Sequence, residues 1–283
     1  MPMNGRLLRP RQTIHPEAAD WANRVRTNGG SVSGTTLSAV DRFVKAIVAA
    51  GIRDRFYRLN LFCGNSDASL AAVRTPLYRG QSLTGTQYGN ATDTNAGNLF
   101  VANDYAENNG LIGNGASKYL DTGLAANAVP LGNRHLAVYE KTKATGQFLV
   151  SIGARTTATP AYWELETLAP ATSYTAYAGD TTNNVTATGY SGGAMWLSNH
   201  SPTSTLSLYK NGQPAGTTTS ITATTSIANN IYVFALNINN SSSYRTDARL
   251  AGYSIGLALS SAGDVAAYYN AMQAFQTAMG RQV

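Results

Sequence analysis

The sequence predicts a mainly β fold, an antiparallel sandwich or jelly roll carrying helices at both ends, and three observations carry that reading. From about residue 117 onward, apolar and polar residues alternate in short runs punctuated by Gly, Asn and Pro, with almost no helical spacing between the runs. Charged residues make up only 13% of the 283-residue chain, about half the roughly 25% of an ordinary soluble protein. Thr, Ser, Asn and Gly take their place. Helical periodicity is confined to the segments before residue 51 and after residue 260.

Taken in order, residues 1–14 show no periodicity and read as an extended arm. A helix over 17–26 follows: Pro16 suits its first turn, Glu17 and Asp20 sit at the positive end of its dipole, and Arg24 and Arg26 at the negative end. Asn28, Gly29 and Gly30 end it. A second helix begins near Thr36, with Thr35 or Thr36 as its cap, Leu37, Val40, Val44 and Ile47 as its apolar face and Gly51 as its stop. Neither helix can bury much by itself, so both are expected to pack on the rest of the chain or on a neighbouring subunit. Residues 55–63 alternate and are rich in aromatics, which makes them the first strand. Residues 64–115 hold few apolar anchors and read as ordered, turn-rich surface with a helical turn over 68–73.

Ten strands are then expected, at 118–122, 135–140, 147–154, 162–168, 173–178, 194–199, 206–209, 215–220, 231–238 and 249–255. Asn211-Gly212 is the pair preferred for a type I′ hairpin, because both residues take positive φ, and Pro214 places the following strand at a sheet edge. Ser261, with Asp264 three residues on, opens a closing helix whose Val265, Tyr268, Met272, Phe275 and Met279 share one face before Gly280. The chain divides into a basic helical segment over 1–55, a sandwich over 56–260 and a C-terminal helix over 261–283.

Charge is concentrated at one end. Residues 1–79 carry twelve Lys and Arg against five Asp and Glu, while the remainder carries nine against ten. Arg6, Arg9, Arg11, Arg24, Arg26, Arg53 and Arg55, with Arg58 beyond them, are the candidates for docking on an acidic protein surface. Scattered over three segments without interleaved aromatics, they do not fit the pattern of a nucleic-acid binder. No apolar run approaches the roughly 20 residues that span a bilayer, and the first residues lack the apolar stretch of a signal peptide. One cysteine, Cys63, offers no intrachain disulfide.

The chemistry is sparse. Glu164 and Glu166 lie two apart on a strand and so share a face, beside Trp163, which could stack on a sugar. The positions that would continue the run are Leu168 and Ala169, so no third acid follows. His15, His135 and His200 are too dispersed for zinc, no EF-hand spacing supports calcium, and no G-x-S-x-G elbow is present. The expectation is no catalytic residue, no metal and no cofactor. Trp163, Tyr174, Tyr177 and Tyr190 are the candidates for a glycan-binding surface, since exposed aromatics offer large contact area at low entropic cost.

Three segments, 111–123, Leu208-Tyr-Lys-Asn-Gly212 and 250–260, resemble in order and spacing the opening strand, the hairpin and the closing strand of concanavalin A-like, laminin-G-like jelly rolls. Residues 22–45, followed by 56–65, resemble a group of uncharacterised bacteriophage proteins that join such a helical segment to a jelly roll. That second resemblance implies a non-enzymatic virion component such as a decoration, collar, tail or fibre protein, homo-oligomeric, anchored through its N-terminal region to other virion proteins and made in the host bacterial cytoplasm. The alternative is a carbohydrate-binding adhesin that recognises host surface glycan. A glycoside hydrolase ranks third.

Overall fold

The alternating runs pair into two sheets laid face to face. The structure, a computed structural model, describes residues 13–283 apart from 68, 158–160, 169–171, 180–181, 219–220 and 222–224. Arg6, Arg9 and Arg11 lie outside the described residues. The first eight strands are β1 (Phe56–Asn60), β2 (Thr94–Asn95), β3 (Tyr105–Ala106), β4 (Gly110–Ile112), β5 (Leu120–Ala125), β6 (Arg134–Thr142), β7 (Val150–Thr156) and β8 (Ala161–Leu168). After them come β9 (Ser173–Gly179), β10 (Asn184–Thr188), β11 (Ala194–Ser201), β12 (Thr205–Lys210), β13 (Gln213–Thr218), β14 (Asn230–Val233), β15 (Leu236–Ile238), β16 (Ser241–Ser243) and β17 (Arg249–Gly256). The back sheet runs β13–β12–β11–β6–β17–β4–β3, with β1 also on β17; the front sheet runs β10–β9–β8–β7–β14–β5–β2, with β15 and β16 beside it. Pairing is antiparallel except where β15 runs parallel to β7.

Between the sheets, Leu136, Val138, Trp196 and Ile255 of the back sheet meet Ile152, Trp163, Leu165 and Ala176 of the front sheet in one apolar core. Strand alternation sends the intervening back-sheet residues Ala137, Tyr139, Met195, Leu197 and Ala251 outward, where exposure would be costly. Helices cover them. Trp21 of α1 (Pro16–Thr27), Phe43, Val44 and Ile47 of α2 (Gly34–Ala49), and Tyr268, Met272 and Phe275 of α4 (Ala262–Ala278) join these residues in a second core, with the Phe43 and Phe275 rings edge-on at 6.1 Å. The single turn α3 (Ala71–Arg74) overlaps the expected 68–73 turn, of which residue 68 lies outside the described residues.

Local chemistry sets most of the boundaries. Ser261 accepts from the Asp264 amide at 3.1 Å to start α4, and Asn211 and Gly212 take φ of 51° and 73° in the β12–β13 hairpin, which leaves β13 at the sheet edge. Helix α2 starts two residues earlier than the sequence suggests, because Ser33, not Thr35 or Thr36, accepts from the Thr36 amide. The strand expected over 231–238 is broken into β14 and β15 by Phe234, held at φ 69°. Strands β10 and β16 go beyond the ten expected, and the reading of 64–115 as turn-rich surface is corrected: β2, β3 and β4 form there, and Leu70, Val73, Phe100, Tyr105 and Leu111 are buried in the core between the sheets.

Two of the N-terminal arginines, Arg24 and Arg53, make contacts within the fold. Arg24 donates to the carbonyls of Pro76 (2.7 Å) and Leu77 (2.9 Å). Arg53 grips Glu17 at 2.7 Å, donates to the Gly80 carbonyl and lies 3.6 Å over the Tyr78 ring. Both fasten the helical layer to residues 75–80. Arg55 is half-buried near Asp54, and Arg26 is exposed.

Three buried polar groups lock the layers together. Arg58 and Asp93, both fully buried, pair at 2.7 Å; Asp93 also accepts from the Tyr253 hydroxyl at 2.7 Å and the Asn60 amide at 2.8 Å. Arg281, just past α4, is fully buried and donates to the carbonyls of Leu61, Phe62, Glu107 and Ala251 and to the Gln276 side chain. Glu140 of β6 points between the sheets and accepts from the hydroxyls of Ser151 (2.7 Å), Tyr190 (2.8 Å) and Tyr174 (3.1 Å).

Burial pushes the Glu140 carboxyl up to about 7, against the pull of its three hydroxyl donors. A carboxyl raised above its unfolded value of 4.5 contributes stability that is complete below pH 4.5 and is lost as pH rises through about 7. Glu140→Gln cannot titrate. Between pH 4 and pH 8 the variant is therefore expected to gain on the native protein by up to about 3 kcal/mol, at 1.36 kcal/mol per pKa unit. His135 and His200, both lowered to about 4 by burial, oppose this trend but cancel in the comparison. Urea unfolding of both proteins across this range reads the difference; parallel stability curves would refute the assignment.

Candidate functional site

Among the described residues no helix covers the front sheet, and the strand period decides what its outer face shows. On β8, Tyr162, Glu164 and Glu166 point outward while Trp163 and Leu165 point into the core. Across the pairing, Arg155 of β7 stands opposite Tyr162, and Tyr177 of β9 stands opposite Glu164. Glu164 is seated over Gly153, where a Cβ would come within 2.4 Å of its own Cβ. Gly153 is therefore the residue that makes room for a buried carboxyl on a sheet face.

The side chains form a tight polar and aromatic group. Arg155 Nη2 donates to Glu164 Oε1 at 2.5 Å, and its guanidinium centre lies 4.1 Å from the Tyr162 ring and 5.7 Å from the Tyr244 ring. Tyr162 and Tyr177 meet with ring centroids 5.8 Å apart. Glu164 is fully buried, and its Oε2 has no hydrogen-bond partner. Burial pushes the Glu164 carboxyl up to about 8 even against Arg155, with Glu166 adding to the rise; burial also raises Glu166. For Arg155 burial works against the charge, but Glu164, Tyr162 and Glu166 together raise it and the guanidinium is held charged.

Beside this group opens a cleft of about 300 Å³ lined by Phe148, Arg155, Glu166 and Tyr244. Phe148 and Tyr244 are 45% and 46% exposed, and both sit in the left-handed region, at φ 57° and 50°. For bulky residues that conformation costs on the order of 1–3 kcal/mol and persists only where the surroundings fix it. They do: the Phe148 amide donates to the Thr167 carbonyl and the Tyr244 carbonyl accepts from the Val150 amide, each at 2.7 Å. The fold thus holds two large aromatic rings out in solvent at an energetic cost.

Of the four aromatics proposed from the sequence, Tyr177 alone reaches this face. Trp163, Tyr174 and Tyr190 are corrected: all three are buried between the sheets. Tyr174 stacks on Trp196 at 4.5 Å and shares Glu140 with Tyr190, while Trp163 lies 4.4 Å beneath the Arg134 guanidinium. Trp163 therefore stands on the face opposite its neighbours Glu164 and Glu166. Phe148, Arg155, Tyr162 and Tyr244 were not foreseen; positive φ at an aromatic leaves no mark in the sequence. Among the described residues, no group of three His, Cys, Asp or Glu is placed to hold a metal ion, and no helix is long and apolar enough to cross a membrane.

A roomier groove of about 460 Å³ lies between β12 and the start of α4, lined by Arg55, Ser201, Thr203, Ser207 and Tyr209 among others. Its amides are already committed, Asn133 to the Ala258 amide and Asn199 to the backbone of Leu259. It offers neither a carboxyl nor rings held in strained backbone, so the smaller cleft carries the more specific chemistry.

No family model matches the chain, and no curated protein sequence does. Solved structures do. A carbohydrate-binding module, the Ruminococcus gnavus IT-sialidase CBM40 bound to α2,3-sialyllactose, is 14% identical with a TM-score of 0.42, over 55% of this chain and 95% of that one. The binding domain of botulinum neurotoxin DC in complex with SialylT is 10% identical with a TM-score of 0.41, over 57% and 42%. The NanB sialidase from Streptococcus pneumoniae is 12% identical with a TM-score of 0.37, over 54% of this chain and 27% of its own length. The chain spans about a quarter of the NanB chains it matches. Likeness at this level is one of fold and says nothing of chemistry.

Proposed function

We propose that the protein binds an oligosaccharide in the front-sheet cleft. The observation that supports this most is the pair of solvent-exposed rings, Phe148 and Tyr244, kept in a costly backbone conformation on either side of a carboxyl and a guanidinium. Sugars present apolar C–H faces ringed by hydroxyls, and a cleft lined by two aromatic rings, a carboxyl and a guanidinium meets both. We place this reading ahead of a structural role anchored through the N-terminal arginines, because Arg24 and Arg53 are consumed inside the fold.

Strain and function separate in one experiment. Phe148→Gly and Tyr244→Gly relieve the left-handed backbone, so neither is expected to lower the melting temperature, and each should raise stability by up to about 1 kcal/mol. Binding should fall at least tenfold in each, since a buried aromatic anchor at a binding site contributes on the order of 1–2 kcal/mol or more. Glycan-array retention followed by calorimetry on the retained sugar reads the loss. Undiminished affinity in both variants would overturn the assignment of the cleft.

A further inference from the structure

We infer that a small monovalent anion, of the halide class, binds between the sheets against Arg134, His200 and Ser198, at a site separate from the front-sheet cleft. Arg134 opens β6 and stands directly opposite His200 of β11, while Ser198 of β11 stands opposite Leu136. Leu136 and Trp196 face the core, so the two-residue strand period turns Arg134, Ser198 and His200 inward as well. Each of the three is only 1% exposed.

Arg134 differs from the other two fully buried arginines. Arg58 pairs with Asp93 and donates to two carbonyls, and Arg281 donates to four. Among the described residues Arg134 forms no hydrogen bond and no ion pair; its contact is the Trp163 ring, 4.4 Å from the guanidinium centre. The groups around it share the same need. Neither ring nitrogen of His200 has a partner, nor has the Ser198 hydroxyl or the Trp163 indole N–H. Burial lowers His200 to about 4, with the Arg134 charge adding to the fall, but lowers Arg134 only to about 9. At neutral pH the group is therefore one cation beside an uncharged imidazole, hydroxyl and indole, all able to donate. A charge buried without a counter-ion is costly. Water would supply an acceptor but no charge. A single anion supplies both, its one charge balances the one guanidinium, and the depth of burial limits it to a few atoms.

The test takes the intact protein in sodium gluconate, whose anion is too bulky for the site, and replaces that salt with sodium bromide at constant ionic strength. The melting temperature is expected to rise saturably with bromide, as for a ligand held by the native state alone. Equal melting temperatures in the two salts overturn the inference. Arg134→Met removes the charge, so this variant should be no less stable than the native protein in gluconate and should lose the bromide response; a response that persists places the ion elsewhere and overturns the inference. His200→Phe keeps the guanidinium and should weaken bromide binding about tenfold, the worth of one hydrogen bond to a charged group; unchanged affinity overturns the site. Anomalous diffraction from bromide-grown crystals of the native protein decides without any variant: an ion bonded to the Arg134 guanidinium supports the inference, and none there overturns it.

Discussion

Replacing Asp93 with alanine is expected to cost about 3–5 kcal/mol of folding stability, the range for breaking a buried ion pair by removing one partner. The reason is what remains behind. Arg58 stays in a site with no access to water, keeping its bonds to the carbonyls of Tyr88 and Asn90 but losing both contacts to the carboxylate. The Tyr253 hydroxyl loses its 2.7 Å acceptor, and the Asn60 amide loses one of two. Chemical denaturation of D93A checks the loss, and a change below 1 kcal/mol would mean that water reaches Arg58. Arg58→Met combined with Asp93→Leu should recover much of the deficit, because the two charges leave together. The four side chains come from β1, the stretch before β2, and β17, so the pair ties the segment 64–115 to the middle of the back sheet.

A chain lacking residues 1–50 is expected to lose its cooperative unfolding transition altogether. Trp21, Phe43, Val44 and Ile47 leave with the deleted helices, and the outward residues Tyr139, Met195 and Leu197 of the back sheet, with Phe275 of α4, lose their cover. An exposed apolar face of that extent drives aggregation or a loosely packed state. Strong binding of a hydrophobic dye, or recovery only from inclusion bodies, is the expected readout. A soluble truncated protein with a native melting transition would show that the helices are an appendage and restore the docking role first read from their charge.

How much was legible depended on the range of the interaction. The type I′ turn at Asn211-Gly212, the Ser261 cap and the edge position of Pro214 rest on chemistry within a few residues, and each stands as read. Strand β10 escaped because Asn184–Thr188 alternates Val and Ala with Thr, small enough that no apolar stripe stands out. Phe234 escaped because an apolar run does not disclose a break made by positive φ. The cleft was legible only in part. The two-residue spacing of Glu164 and Glu166 gave their shared face, but their companions Arg155, Phe148 and Tyr244 come from a neighbouring strand and two separate turns that only the pairing brings together. Tyr174 and Tyr190 were misjudged because their polar, Thr-rich surroundings suggested surface, whereas their hydroxyls are satisfied inside by Glu140.

The place of β17 in the back sheet sets the order in which the molecule can be completed. It lies between β6 and β4, with β1 along it as well, and pairs Phe56 with Gly256, two hundred positions later in the sequence. At synthesis rates of about 5–20 residues per second, β1 waits roughly 10 to 40 s before its partner leaves the ribosome. From the time β6 is made until β17 follows, one edge of β6 has no partner strand, and the underside of the first two helices lacks part of its cover. Until β17 has been made, the strand edges it covers are open to pairing with other chains, so the molecule is at greatest risk of aggregation before that strand joins the sheet.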